Sequence, residues 1–181
     1  APISEDLVSV DRHISEQLAS NVALIREMGA YLLAGGGKKL RPMTLLLATK
    51  ALNYRGTDHI TLAAVIELIH TATLIHDDVV DNSELRRGQK TGNEVWGNAA
   101  SVLVGDFIYS RSFEMMVTVN RMRVMEIMAS TSNAIAEGQV MQLLQINSAD
   151  INETDYLATI ERKTARLFQS ATHLAAVLAT E

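Results

Sequence analysis

The sequence contains no cysteine and only two prolines among its 181 residues. The lack of cysteine excludes disulfide bonds and thiolate metal sites, and it is consistent with a reducing compartment. Few prolines and ten glycines, with abundant alanine, leucine, isoleucine, methionine and glutamate, favour long helices over a sheet. With 48% hydrophobic residues, the chain can form one substantial core, so we predict a single, predominantly α-helical domain.

Long uncharged apolar runs and extended basic patches are missing as well. No stretch of 18 uncharged apolar residues occurs, and the N-terminus does not pair a basic segment with an apolar one. We therefore expect no integral membrane segment, no signal peptide and a cytoplasmic location. The net charge of −5 and the scattered basic residues argue against a nucleic-acid partner.

Apolar residues recur at helical spacing along most of the chain. The pattern predicts six helices, over residues 4–33, 42–53, 59–81, 98–119, 121–147 and 154–180. We expect Asp58 to cap the third helix and Asn152, with Asp155 three residues later, to cap the last one. The polar, glycine-bearing residues 82–98 are predicted to form a connecting loop. Some of these helices are apolar nearly all round, which indicates a bundle with a buried central helix.

Three aspartates end the third predicted helix, in the stretch LIHDDVVD. At about 100° per residue, Asp77 and Asp81 project about 40° apart and one turn from each other, so both carboxylates point the same way. Asp78 points elsewhere. Like charges at this spacing repel, and the negative end of the helix dipole adds to the cost, so the pattern favours a bound cation.

A magnesium ion with a phosphorylated ligand fits this pattern best. Mg²⁺ usually takes one or two carboxylates together with waters and substrate phosphates. Arg86 and Arg87 follow the aspartates with donors suited to phosphate oxygens, and a second basic cluster, GGGKKLRP, stands at another helix start. Two cationic clusters indicate two anionic groups. The alternative is a solvated helix end whose aspartates form local salt bridges with the arginines.

Two further patterns have competing interpretations. Glu67 and His70 have the E-x-x-H spacing of di-iron bundles, but such a site needs a second pair, and neither His13 nor His173 follows a glutamate at that spacing. His70 alone is also compatible with a hydrogen-bonded core histidine. Lys163, in IERKTARLF, has the spacing of a lysine that extends from an amphipathic helix towards solvent.

Four blocks in this order resemble the all-trans polyprenyl diphosphate synthases: GGGKKLRP, ELIHTATLIHDDVVDNSELRRG, SVLVGDFIYSR and RKTARLF. The resemblance spans nearly the whole chain and is strongest to the bacterial long-chain members. It implies an all-α isoprenoid synthase bundle, here truncated after about six helices, that works as a homodimer with Mg²⁺. Residues 1–181 would then be the N-terminal portion of a single polyprenyl synthase domain.

The resemblance also implies roles for individual residues, by matching position. The metal ligands would be Asp77 and Asp81, supported by Asp78. The diphosphate of isopentenyl diphosphate would be held by Lys38, Arg41, His70 and Arg87. The allylic diphosphate would be held by Arg86, Lys163 and Thr164, of which Lys163 joins the three aspartates in catalysis. For Lys163 this role replaces the solvent-facing interpretation.

The implied activity is condensation of isopentenyl diphosphate with an allylic diphosphate, farnesyl diphosphate in particular. The product would be an octaprenyl or similar chain for quinone side chains. Ala72 and Thr73, one turn before the aspartates, are small where short-chain members carry bulky aromatics, so the shaft for the growing chain should run deep. Met116 on the following helix resembles the floor of that shaft in long-chain members; the alternative for a methionine on an apolar helix is a plain core residue.

One feature of the family is missing from these residues. The second aspartate-rich motif of the polyprenyl synthases does not occur, and the chain stops at Glu181 inside an apolar periodic pattern. We therefore expect a portion of a longer enzyme that is inactive, or nearly so, by itself. Two rival functions are a non-catalytic partner subunit of a prenyl synthase and a terpene cyclase; a cyclase has no need for the separate basic cluster at Lys38 and Arg41.

Overall fold

The structure, a computed structural model, describes residues 3–146 and 150–180, and helices dominate them. The helices are α1 (Ser4–Gln17), α2 (Ala23–Ala34), α3 (Leu40–Ala51), α4 (Asp58–Val80), α5 (Gly92–Trp96), α6 (Asn98–Thr118), α7 (Met122–Gln145), α8 (Glu153–Ile160) and α9 (Arg166–Thr180). A π-helical turn (Glu161–Ala165) joins α8 to α9. An antiparallel hairpin of β1 (Leu85–Arg86) and β2 (Gln89–Lys90) follows α4. The fold is all-α, as predicted.

Helix α4 is the central helix of the bundle. It packs against α1, α3, α6 and α9, and the run Leu62–Ile66 is completely buried. This position explains why α4 is apolar on nearly all sides. Among the described residues, α4 is also the one helix long and apolar enough to cross a membrane, and half of that stretch is buried inside the bundle.

The first predicted helix, residues 4–33, is wrong as a single element, because the chain breaks between α1 and α2. The hydroxyl of Ser20 accepts a hydrogen bond from the amide of Val22 at 3.2 Å. The carbonyl of Ser20 accepts another from Arg26 at 2.8 Å. These local bonds offer the backbone an alternative to the helix, although the apolar spacing continues through the break.

The last predicted helix, residues 154–180, is interrupted by the π-helical turn. Its predicted cap is confirmed, since Asn152 Oδ1 accepts from the amide of Asp155 at 2.9 Å. Gly138 of α7 lies against the turn, where an added Cβ would be 2.8 Å from the backbone nitrogen of Lys163. The absence of a side chain at residue 138 thus lets α7 and the π-helical turn approach closely.

Two details at the ends of α4 differ from prediction. Asp58 is the first residue of the helix and not its cap; its carboxylate accepts from the Tyr54 hydroxyl at 3.3 Å. The predicted loop 82–98 contains the hairpin and α5. Arg87 and Gly88 both have positive φ, at 54° and 81°, as a two-residue type I′ hairpin turn requires. The predicted end of the fifth helix at residue 147 lies outside the described residues.

Candidate active site

The C-terminal end of α4 faces α7 and the π-helical turn across a cavity lined by Asp77, Asp81, Gln139, Gln142 and Lys163, which we call the aspartate cavity. The ammonium of Lys163 contacts Asp77 Oδ2 at 3.0 Å and donates to Gln142 Oε1 at 2.6 Å. Gln139 Nε2 donates to Asp77 Oδ1 at 3.1 Å. The π-helical turn and α7 therefore each contribute a side chain that contacts the Asp77 carboxylate of α4.

The predicted geometry of the aspartates is found in the structure. Asp77 and Asp81 line the same cavity, one helical turn apart, with Asp81 exposed just beyond the last residue of α4. Among the described residues, no group of three or more histidine, aspartate or glutamate side chains could by itself hold a metal ion. Two carboxylates beside open space suit Mg²⁺, which completes its shell with waters and phosphates.

Asp78 projects about 100° round α4 from Asp77 and is buried, with 8% of its side chain exposed. Its carboxylate accepts from Arg86 Nη2 at 2.7 Å and from Arg86 Nε at 3.1 Å to each oxygen. Hydrogen bonding to Asp78 raises the pKa of Arg86 above its usual value. The aspartate motif thus divides its charges between two sides of one helix.

A second cavity opens on the Asp78 side and is lined by Lys39, His70, Asp78, Arg86 and Arg87, together with apolar residues of α1, α2 and α4; we call it the basic cavity. Arg87 donates to the carbonyl of Gly36, which links the hairpin to the glycine-rich segment. This cavity brings Lys39 of the first basic cluster together with Arg86 and Arg87 of the second.

His70 and Arg41 form a pair beside the basic cavity. Arg41 Nη1 lies 3.0 Å from His70 Nε2. Burial, followed by the charges of Arg41, Arg87 and Arg86, lowers the pKa of His70 to about 4. The ring is therefore neutral at pH 7, accepts from Arg41 at Nε2 and carries its proton on Nδ1. On the other side of Arg41, the Phe168 ring centroid lies 4.7 Å from the guanidinium carbon.

The other two predicted binding residues, Lys38 and Thr164, line neither cavity. Lys38 is exposed on the glycine-rich segment, and its neighbour Lys39, at a φ of 49°, precedes α3 and pairs with Asp11. Thr164 is exposed on the π-helical turn. Glu67 lines the basic cavity, and burial raises its pKa. Of the two lysines in the glycine-rich basic cluster, Lys39 therefore lines the cavity and Lys38 does not.

The predicted chain-length residues lie deeper in the bundle. Ala72 and Met116 are completely buried. Thr73 is half-buried, and its hydroxyl donates to the carbonyl of His70 at 2.7 Å. None of the three lines the aspartate cavity or the basic cavity. Their role stays a prediction.

Some partners of the charged residues were not predicted from the sequence. Salt bridges between the aspartates and the arginines were the alternative to a cation site, and Asp78 forms one with Arg86. The two glutamines of the aspartate cavity and Phe168 were not identified. A signal for the glutamines exists, because Gln139 and Gln142 are three positions apart and therefore lie on one face of α7. No comparable signal marks Phe168, which reads as an ordinary core residue.

The helical bundle, with two charged cavities near the C-terminal end of its central helix, has the fold of the isoprenoid synthases. The polyprenyl synthetase family model matches residues 22–181. The chain therefore belongs to the polyprenyl synthetase family, which confirms the resemblance.

Individual relatives agree with this assignment. The chain is 52% identical to octaprenyl diphosphate synthase of Escherichia coli K12 over 176 residues, covering 97% of this chain and 54% of that protein. It is 43% identical to a geranyl-diphosphate-specific all-trans-nonaprenyl-diphosphate synthase of Rhodobacter capsulatus over 180 residues, covering 99% and 55%. The chain spans about half the length of the curated relatives it matches.

The fold is shared with solved structures. A polyprenyl synthase of Caulobacter crescentus CB15, complexed with calcium and isoprenyl diphosphate, superposes with a TM-score of 0.96 at 44% identity. The match covers 99% of this chain and 55% of that one.

Proposed function

We propose that the protein is a long-chain trans-prenyltransferase that condenses isopentenyl diphosphate with an allylic diphosphate. The observation that carries this proposal is the pair of charged cavities near the C-terminal end of α4, with the aspartates and Lys163 lining one and the arginines lining the other. Two separate charged cavities suit a reaction that brings two diphosphates together. A terpene cyclase, which binds one, would not need the second cavity.

The aspartate cavity is proposed to hold Mg²⁺ through Asp77 and Asp81, with the allylic diphosphate completing its coordination. The bound metal would neutralise charge on the departing diphosphate. Lys163 already neutralises Asp77 at 3.0 Å and is placed to donate to the same diphosphate, together with Thr164. The related Caulobacter protein is complexed with a divalent cation, calcium, and isoprenyl diphosphate, which supports this assignment.

The basic cavity is proposed to bind the isopentenyl diphosphate through Lys38, Arg41, His70 and Arg87. Arg86, which the resemblance assigns to the allylic diphosphate, is held by Asp78 and lines this same cavity. Ionisation of the allylic C–O bond leaves a carbocation and free diphosphate. The isopentenyl double bond attacks the carbocation, and loss of a proton gives an allylic diphosphate longer by one unit. The apolar helices around the site keep water from the carbocation.

The proposed product is an octaprenyl or similar chain for a quinone side chain, made from farnesyl diphosphate. The octaprenyl and nonaprenyl relatives support a long product. Ala72 and Thr73 would line the shaft, with Met116 as its floor. We also propose a cytoplasmic homodimer, and expect residues 1–181 alone to turn over little, since they carry one aspartate-rich motif.

The test is a steady-state assay of the full-length protein with labelled isopentenyl diphosphate, farnesyl diphosphate and Mg²⁺, followed by chain-length analysis. Asp77→Asn should lower kcat by about 10²- to 10³-fold, the usual loss for one electrostatic contact to the transition state. Asp58→Asn, at the other end of α4, is the matched control and should retain activity. Consumption of farnesyl diphosphate without incorporation of isopentenyl units would instead indicate a cyclase.

A further inference from the structure

We propose that Phe168 is a positioning residue whose ring holds the Arg41 guanidinium in the orientation that receives the isopentenyl diphosphate. This inference rests on the proposed function and adds a residue to its isopentenyl site. The ring centroid lies 4.7 Å from the guanidinium carbon of Arg41, within the range of a cation–π contact.

Arg41 is held at two places. The ring of Phe168 covers the guanidinium, and His70 Nε2 holds its Nη1 edge at 3.0 Å. The Nε atom of Arg41 is buried and makes no hydrogen bond. Because Nε is buried and His70 engages one Nη1 donor, the remaining Nη donors are the ones proposed to bind a phosphate. The aromatic face fixes the plane of the fork without using any of these donors.

The position of the Phe168 ring follows from core packing. Its neighbour Leu167 and, one turn later, Ala171 are buried, and they anchor α9 against the bundle, where it packs along α3. Five residues before Phe168, Lys163 reaches Asp77 from the π-helical turn. The continuous segment from the π-helical turn into α9 therefore carries both Lys163, which lines the aspartate cavity, and Phe168, which contacts Arg41.

The test compares Phe168→Leu, which keeps the apolar bulk and removes the aromatic face, with Phe168→Tyr, which keeps that face. In the full-length protein, Phe168→Leu should raise the KM for isopentenyl diphosphate roughly three- to tenfold, as loss of a partly buried cation–π contact predicts. The KM for the allylic diphosphate should change less than twofold, and Phe168→Tyr should restore the isopentenyl KM.

Phe107→Leu is the matched control. Phe107 faces Arg111 on α6 at 5.3 Å, and the Nε of Arg111 is likewise buried without a partner. Arg111 pairs with Glu114, which lines neither cavity, whereas Arg41 bonds His70 of the basic cavity. Its removal should leave both KM values within twofold of wild type. If Phe168→Leu does not fold, the NMR shift of Arg41 Hε in the wild-type protein decides, because a ring over the guanidinium moves that signal upfield.

The outcomes separate the two proposals. A wild-type protein that neither binds diphosphate nor turns over refutes the proposed function, and this inference with it. An active wild type whose Phe168→Leu variant keeps its isopentenyl KM, or raises both KM values equally, refutes the positioning role alone. An unshifted Arg41 Hε signal also refutes it.

Discussion

Removing one partner of the ion pair between Asp78 and Arg86 gives a prediction about stability that can be tested without substrate. Three hydrogen bonds of 2.7 to 3.1 Å join the two side chains, which are 8% and 39% exposed. Removing one partner of a fully buried pair costs about 3–5 kcal/mol. Because Arg86 can regain water, we expect Asp78→Asn to lower the free energy of unfolding by about 2 kcal/mol, or the Tm by about 4–8 °C.

The assay is a double-mutant cycle by urea unfolding, with Asp78→Asn, Arg86→Met and the double variant. A pair joined in this way should show a coupling energy of about 1–2 kcal/mol. The exposed pair of Arg123 and Glu126, 2.8 Å apart and about half exposed, is the control and should couple by less than about 0.5 kcal/mol. A coupling as small for the Asp78 pair would refute the idea that Asp78 holds Arg86 in place.

Three further predictions concern His70, Gly138 and Ala72. In an NMR titration the His70 pKa should be about 4; a value near 6.5 would contradict its burial beside the arginines. The unfolded ring titrates near 6.5, so the contribution of His70 to the free energy of unfolding is full above that pH and falls by roughly 3 kcal/mol towards pH 4. Urea unfolding of the wild type and of His70→Gln across this range measures the loss. Gly138→Ala should lower the free energy of unfolding in urea by about 1–3 kcal/mol, because the new Cβ would lie 2.8 Å from the backbone nitrogen of Lys163. The control Gly29→Ala, whose new Cβ would make ordinary contacts, should be tolerated. Equal stabilities of the two variants would contradict the close approach at Gly138. Ala72→Phe should shorten the products of the full-length protein, and unchanged product length in a folded variant would remove Ala72 from the shaft.

Much of the bundle is predictable from apolar spacing, but its interruptions are not. The break between α1 and α2 involves side-chain bonds of Ser20, while the apolar period continues through it. The π-helical turn lies against Gly138, a residue of another helix, so the local sequence carries no sign of it. The hairpin at Arg87 and Gly88 was predictable in principle, since a glycine-bearing two-residue turn between short polar strands is a known hairpin signal.

The candidate site was likewise predictable from the sequence only in part. Helical geometry alone places Asp77 and Asp81 together and turns Asp78 away, as the structure shows. It does not reveal that Lys163, 86 positions after Asp77, lies 3.0 Å from it, because that contact depends on how α7 and the π-helical turn pack. The resemblance to a family supplied this residue where spacing favoured a solvent-facing lysine.

The central claim is that Asp77 and Asp81 bind a divalent cation beside the allylic diphosphate. The most direct measurement is the anomalous signal of Mn²⁺ in crystals of the full-length protein grown with an unreactive allylic diphosphate analogue. We expect a peak within direct coordination distance of carboxylate oxygens of both residues, with the Asp77 contact to Lys163 loosened. A peak elsewhere, with Asp77 still bonded to Gln139 and Lys163 and Asp81 in solvent, would contradict it.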